Sequence, residues 1–254
     1  MDQNNRNFDK LNGSDIVISK KSKAFEWLDN FWYHHKWKVI IIAFFAIFLV
    51  VGIVQMANKT EADITVTVAT HTIYYQENVN AMERDLVSLM PSDRNGDGQR
   101  IINLKTYKIY SESELKAANE AETDAYGNPV IYADEAYNKE QIQQFNSFIG
   151  TGECSVVILS EYMYRDIVAR RTDVSLLIPM NDIYGEDIPA GVMDDGYGIR
   201  LKETAAYSYF ASLGTIPDDA VICVMRPFVF GNKGSEQKNQ FAIEYFKSIV
   251  EFGN

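Results

Sequence analysis

Cysteine and histidine are scarce in this chain, which has only two cysteines and three histidines among 254 residues. Cys154 and Cys223 are too few for the disulfide framework of a small secreted domain. His71 is the only histidine after residue 35, so a histidine-dependent nucleophile or a His-rich zinc site has little material. The sequence also lacks the G-x-S-x-G, H-E-x-x-H and G-x-x-x-x-G-K-[ST] patterns. We therefore predict that the protein is not an enzyme and has no catalytic residues.

The two cysteines each lie beside an apolar run, with SVVIL after Cys154 and AVI before Cys223. Such runs are typical of buried strands. Two buried thiols and a single bridge between neighbouring strands are both compatible with this placement, because sequence does not give the geometry that a disulfide needs.

Positive charge is in short supply, and it is unevenly distributed. The whole chain has a net charge of −11, whereas residues 1–38 contain seven Lys/Arg against five acids and so carry +2. The remaining residues therefore carry −13. Because nucleic acids are polyanions, this charge argues against nucleic-acid binding. It suits a cation such as calcium or a cationic partner.

One apolar run stands out, Val39 to Met56, which has no charged residue in eighteen positions. As a helix it would be about 27 Å long, close to the hydrocarbon thickness of a bilayer. We predict a single membrane-spanning helix at residues 39–56, in contact with lipid. A cleaved signal peptide is the alternative, although Gln55-Met56-Ala57 is a poor cleavage site.

The residues that flank the run predict its orientation. Lysines are concentrated before it (Lys20, Lys21, Lys23, Lys36 and Lys38), whereas Lys59 alone follows closely. The positive side stays in the cytoplasm. We therefore predict a cell-membrane protein with a cytoplasmic tail at residues 1–38, which includes an aromatic juxtamembrane segment, and an extracellular domain at residues 60–254. The segment from Ala24 to Lys38 could be a helix on the inner membrane surface.

The outer domain begins with the pattern of a strand, a helix and a second strand. Ala62–Ala69 alternates apolar and polar residues, Gln76–Met90 has helical spacing, and Ile101–Tyr110 is a second strand. A polar segment follows at Ser111–Glu140. Strand and helix patterns then alternate again, with a helix predicted at Glu203–Leu213. The order predicts an α/β fold, specifically a three-layer α/β sandwich.

The segment from Asp93 to Gln99 has the spacing of a calcium loop. Asp93, Asn95 and Asp97 would supply side-chain oxygens and Gln99 a backbone carbonyl, with Gly98 at the sixth position. The twelfth position is Leu104, where a bidentate acid is expected. A turn rich in Asn-Gly and Asp-Gly explains the same residues. Calcium is therefore one of two interpretations, and no other cofactor is predicted.

The segments ADITVTVA, FNSFIGTGECSVVILSEYMYRDI, YGIRL and AVICVMRP occur in an order that resembles one lobe of an extracellular solute-binding protein of the type II periplasmic binding protein fold. The whole chain, with its FWYHHKWKV entry to the membrane, is also similar to single-pass membrane proteins of Gram-positive anaerobes. The resemblance implies solute binding, but about 195 residues are too few for two full lobes, which in such proteins hold the ligand between them.

These observations predict a non-catalytic protein that binds a small solute, a peptide or a protein partner, with signals passed through a membrane-protein partner. Ligands of open α/β sheets bind beyond the carboxyl ends of the strands. That rule favours Thr70, His71, Ser160 and Glu161, although the sequence does not identify the ligand-binding residues. The alternative is an envelope assembly protein with a calcium-stabilised loop and no ligand cleft.

Overall fold

The computed structural model describes residues 23–57, 61–120, 133–170, 176–227 and 233–253. It divides the chain into two compact units, Met1–Thr60 and Glu61–Asn254. Most of the predicted cytoplasmic tail and the middle of the polar segment after Tyr110 lie outside the described residues.

The first unit contains one long helix, α1, at Lys23–Ala57. Its part from Trp27 to Val54, 28 residues, is long and apolar enough to cross a membrane. The apolar side chains are exposed, as at Phe44 and Phe48, which are 63% and 70% exposed. The helix is compatible with a single transmembrane span, and a signal sequence has the same character. It continues without a break through the aromatic juxtamembrane segment, which is therefore helical and part of α1.

The second unit is built on a five-stranded sheet with the order β2-β1-β3-β5-β4. β1 is parallel to both of its neighbours, β2 and β3. β5 is antiparallel to both β3 and β4. The strands are β1 at Ile64–Thr70, β2 at Ile102–Lys108, β3 at Val156–Leu159, β4 at Ile199–Arg200 and β5 at Val221–Val224.

Seven further helices accompany the sheet in the described residues. They are α2 at Gln76–Ser88, α3 at Glu112–Glu120, α4 at Glu135–Gly150, α5 at Glu161–Ala169, α6 at Met180–Tyr184, α7 at Ala205–Tyr209 and α8 at Lys233–Val250. The predicted mixed α/β class is confirmed, and so is the opening unit of strand, helix and parallel strand.

The core lies on both faces of the sheet, because successive side chains of a strand point to opposite faces. Val68 and Ile158 belong to the cluster shared with α2 and α8. Their chain neighbours Ala69 and Leu159 belong to the cluster shared with α4 and α5. Helices therefore cover both faces and the unit has three layers.

The helix predicted at Glu203–Leu213 is wrong in its length. The structure has only α7 there, with short 3-10 turns at Leu201–Glu203 and Leu213–Thr215. Thr204 caps α7, since its side chain accepts a hydrogen bond from Tyr207 N. Phe210 adopts an extended conformation (φ −93°, ψ 111°) and ends the helix after a single turn.

Both cysteines are buried free thiols. Cys154 Sγ donates to Thr67 Oγ1 at 3.2 Å. Burial raises the pKa of Cys154 to about 12 and that of Cys223 well above its ordinary value. Because the thiolate is the reactive form, both side chains behave as small apolar core residues.

Candidate functional site at the carboxyl edge of the sheet

The chain leaves β1 for β2 on one side and later returns to β3 on the other side. The carboxyl ends of β1 and β3 are therefore a topological switch point, where open α/β sheets bind ligands. Thr70 ends β1 and Ser160 follows β3, and both are fully buried. Ser160 N donates to Ala69 O at 2.9 Å, which holds the two strand ends together.

The antiparallel strands bring two further residues to this edge. β5 starts here, and Asp219 just before it accepts a hydrogen bond from Glu161 N at 3.0 Å through Oδ2. A carboxylate at a helix amino terminus stabilises the helix, and Asp219 does this for α5. β4 ends here, and both terminal nitrogens of Arg200 lie 3.2 Å from Glu161 Oε2.

Glu161 is held by two arginines. Arg165 Nε donates to Glu161 Oε1 at 2.9 Å, and Arg200 contacts the other oxygen. The hydrogen bond from Arg165 lowers the pKa of Glu161 most, and those from Arg200 act in the same direction, whereas desolvation opposes them. Glu161 therefore stays ionised at neutral pH, and its charge is already compensated.

Tyr74, on the loop that leads from β1 to α2, contacts the switch point through its hydroxyl. Its hydroxyl lies 2.9 Å from Thr70 Oγ1. Burial raises the pKa of Tyr74, and the nearby carboxylate of Asp219 acts in the same direction. We call Thr70, Tyr74, Ser160, Glu161 and Asp219 the carboxyl-edge cluster.

Apolar side chains project to solvent beside this cluster. Ile73 and Tyr75, on either side of Tyr74, are 49% and 72% exposed, and Tyr162 in the first turn of α5 is 39% exposed. Large apolar side chains next to buried polar groups are typical of ligand sites, because the apolar groups supply area and the polar groups supply orientation.

The edge continues to the end of β2. His71 Nδ1 lies 3.0 Å from Glu114 Oε1 of α3, and its ring stacks on Tyr110 with a centroid distance of 6.4 Å. Tyr110 and Lys108 line a depression of about 320 Å³, whose other lining residues are Ala133, Asp134, Tyr137 and Asn138. The four residues favoured by the sequence, Thr70, His71, Ser160 and Glu161, thus all lie along this edge.

The predicted calcium loop lies at the opposite edge, before β2. The side-chain oxygens of this loop accept hydrogen bonds from the backbone of the same loop. Asp93 accepts from Gly96 N and Gly98 N at 2.8 and 2.7 Å. Asn95 accepts from Asp97 N at 2.9 Å, and Asp97 from Gln99 N at 2.8 Å. Desolvation raises the pKa of Asp93, but the bonds from Gly98 and Gly96 outweigh it, so the net shift is downward.

Asp63 is the acid that reaches this loop from outside it. Asp63 is buried, and its two carboxylate oxygens accept from Arg94 N at 2.9 Å, Asn95 N at 3.1 Å and Ile101 N at 2.9 Å. Among the described residues no group of three or more His, Cys, Asp or Glu side chains could hold a metal ion. The predicted loop also relies on Asn95 and the Gln99 carbonyl, which are oxygen ligands outside those residue types, so calcium at this loop stays a prediction.

Sequence reasoning missed Tyr74, Asp219 and Asp63. Asp219 looks like part of a solvated turn, because the pattern does not reveal that β5 runs antiparallel and starts at the carboxyl edge. Asp63 gives no signal, since its partners follow it by 31 to 38 residues. A tyrosine pair directly after a strand was the only local hint of Tyr74.

Comparison with known proteins gives no match at any of three levels: no protein-family model, no curated protein and no solved structure matches the chain. The resemblance to extracellular solute-binding proteins therefore stays a prediction.

Proposed function

We propose that this chain is a single-pass membrane protein whose N-terminus lies in the cytoplasm and whose α/β domain binds a ligand outside the cell without transforming it. The exposed apolar helix α1 supports the membrane anchor. The lysines before its apolar part support the orientation. The ligand class is a small solute, a peptide or a segment of a protein partner.

The observation that carries the proposal is the convergence of polar groups at the switch point. Thr70, Ser160 and Asp219 come from three different strand ends along this edge; the Tyr74 hydroxyl bonds to Thr70, Ser160 N bonds to Ala69 O, and Asp219 bonds to Glu161 N. Ile73, Tyr75 and Tyr162 add exposed apolar surface beside them. A recognition site needs this combination, whereas an assembly surface would be a continuous apolar patch.

The anchor and its orientation can be tested with the full chain carrying different tags at its two ends in a Gram-positive host. We expect protease added to protoplasts to remove the C-terminal tag and to leave the N-terminal tag intact, because the domain is outside. Separation of the two tags before protease is added would instead show a cleaved signal sequence. Loss of the N-terminal tag alone would show that the protein has the opposite orientation.

Ligand binding can be tested by thermal unfolding of the detergent-solubilised full chain with amino acids, short peptides and sugars. Binding to the folded state stabilises it, by about 2.7 kcal/mol at a ligand concentration of 100 times Kd, and so raises the unfolding temperature. We expect Tyr75→Ala to abolish the rise in unfolding temperature that a binding compound causes in the wild type. Tyr209→Ala is the matched control: Tyr209 is 71% exposed against 72% for Tyr75, but it packs on Phe210 and Phe252.

The same measurement separates the two candidate functions. Equal shifts in both tyrosine variants would place the ligand elsewhere and contradict the site. No shift with any compound, combined with stabilisation by calcium that EGTA reverses, would favour the assembly protein with a calcium-stabilised loop. Calcium without effect would contradict the metal prediction.

A further inference from the structure

β2 lies at the edge of the sheet, with β1 as its single neighbour strand among the described residues. Backbone groups of a strand point alternately to its two sides. Ile109 N donates to Thr70 O at 2.8 Å, so the odd-numbered residues of β2 face β1. Leu104, Thr106 and Lys108 therefore direct their N–H and C=O groups away from the sheet.

These outward groups have no hydrogen-bond partner in the part of the chain that the structure describes. Tyr110, which continues the same outward row, does have one. Tyr110 N donates to Asn138 Oδ1 at 2.9 Å, and Asn138 Nδ2 donates to Tyr110 O at 3.0 Å. The side-chain amide thus bonds both groups as a neighbouring strand would. The row is closed at this end and open at Leu104, Thr106 and Lys108.

A groove of about 540 Å³ runs beside this open edge, between β2 and α4. Lys105 and Tyr107 of β2 form one wall, and α4 contributes Gln144 and Phe148 among others. Side chains of a strand added next to β2 would enter this groove at every second position. The edge and the groove are therefore suited to the same extended ligand.

The lysines of β2 do not shield the edge in the way that edge-strand lysines often do. Lys105 Nζ lies 3.9 Å from the ring centroid of Phe148, and Lys108 Nζ lies 4.9 Å from that of Tyr110. Both ammonium groups fold back onto aromatic faces, which leaves the backbone row accessible. Glu140 lines the same groove as Lys105, and Asp134 lines the same depression as Lys108, but neither lysine forms a salt bridge within the described part of the chain, so both ammonium groups are available to an acidic partner.

We propose that the open edge of β2 and the adjoining groove bind an extended, acidic peptide segment of another protein as a sixth strand. Backbone pairing with Leu104, Thr106 and Lys108 would supply affinity, and acidic side chains facing Lys105 and Lys108 would supply selectivity. A second copy of this chain fits poorly, because edge-to-edge pairing would bring the lysines of both copies onto one short ladder.

The probe is a pool of acetylated, amidated and fluorescently labelled five-residue peptides. Positions two and five are Asp or Glu, so that they point to opposite faces of the peptide strand as Lys105 and Lys108 do on β2, and the others vary among Val, Ile, Thr, Tyr and Phe. Fluorescence anisotropy with the full chain in nanodiscs reports binding. We expect the best binder to lose at least about tenfold in affinity when alternate peptide nitrogens are methylated, because the donors to β2 are removed. This comparison needs no change to the protein.

Two variants at one position provide the matched control in the protein. Thr106→Pro removes an outward N–H that β1 does not use, and edge strands tolerate proline there. We expect it to weaken binding at least about tenfold, whereas Thr106→Ala should stay within about twofold of the wild type. Tyr75→Ala should leave peptide affinity unchanged, which separates this site from the carboxyl-edge cluster.

Several outcomes would overturn the proposal. These are no binding by any member of the pool, equal affinity for the methylated peptide, and binding that Tyr75→Ala abolishes. If the full chain self-associated and Thr106→Pro abolished that association, the partner of this edge would be a second copy of the chain and not a peptide of another protein. If neither salt nor the double substitution Lys105→Gln/Lys108→Gln weakened binding, the proposed preference for acidic peptides would be wrong.

Discussion

Replacing Asp63 with alanine is expected to lower the free energy of unfolding by about 3–5 kcal/mol, because three backbone N–H groups lose a charged acceptor. Arg94 N, Asn95 N and Ile101 N all donate to this one buried carboxylate. The substitution removes the shared acceptor of three part-buried N–H groups beside the start of β1. Urea unfolding of the detergent-solubilised full chain, followed by circular dichroism, measures the change.

Asp97→Ala is the control for this prediction. Asp97 is an exposed acid of the same loop that accepts from Gln99 N and Asn95 Nδ2. Water can replace it as an acceptor, so a loss of about 1 kcal/mol or less is expected. If Asp63→Ala cost no more than Asp97→Ala, Asp63 would not be the residue that fixes the loop to β1.

Replacing Gly198 with alanine is expected to cost about 2–3 kcal/mol through overpacking. An added Cβ would lie 2.5 Å from Val221 Cγ1, 2.7 Å from Cys223 Sγ and 3.0 Å from Tyr164 Cε2. All three neighbours are fully buried, so none has free space to move into. Tyr164 is also fixed by its hydroxyl, which donates to Asp195.

Gly150→Ala is the matched control, because a Cβ at the last residue of α4 meets nothing within 4 Å. Alanine restricts the unfolded chain more than glycine does, so this change should be neutral or should stabilise by about 0.5–1 kcal/mol. The same urea unfolding experiment compares the two variants. Similar stabilities for both would contradict the close packing of β4 on β5 and α5.

The part of the fold that sequence predicts is the part with local periodicity. Val66 and Val68 repeat every second residue in β1, and Met82 and Leu86 repeat with helical spacing in α2. The parallel pairing of β1 and β2 follows from the helix between them. The sequence alone therefore predicts these elements and the mixed α/β class.

Strand direction and long-range bonds could not be derived in this way. Val221–Val224 reads as a buried strand in either direction, so the sequence did not place Asp219 beside Glu161. The residues between β3 and β5 contain several short elements rather than one crossover helix, and such a connection does not determine strand direction. The site was therefore predicted at Thr70, His71, Ser160 and Glu161 but not at Asp219 or Tyr74.

The position of β1 between two parallel strands also has a mechanical consequence. The chain enters the domain at Glu61 and passes directly into β1, which has a parallel neighbour on each side. Tension applied to the domain through that entry acts along β1, so the hydrogen bonds to β2 and β3 are loaded together in shear. Forced unfolding is governed by the rate of crossing the unfolding barrier, and rupture of two ladders at once raises that barrier. The domain is thus entered through a strand that two parallel ladders hold at once.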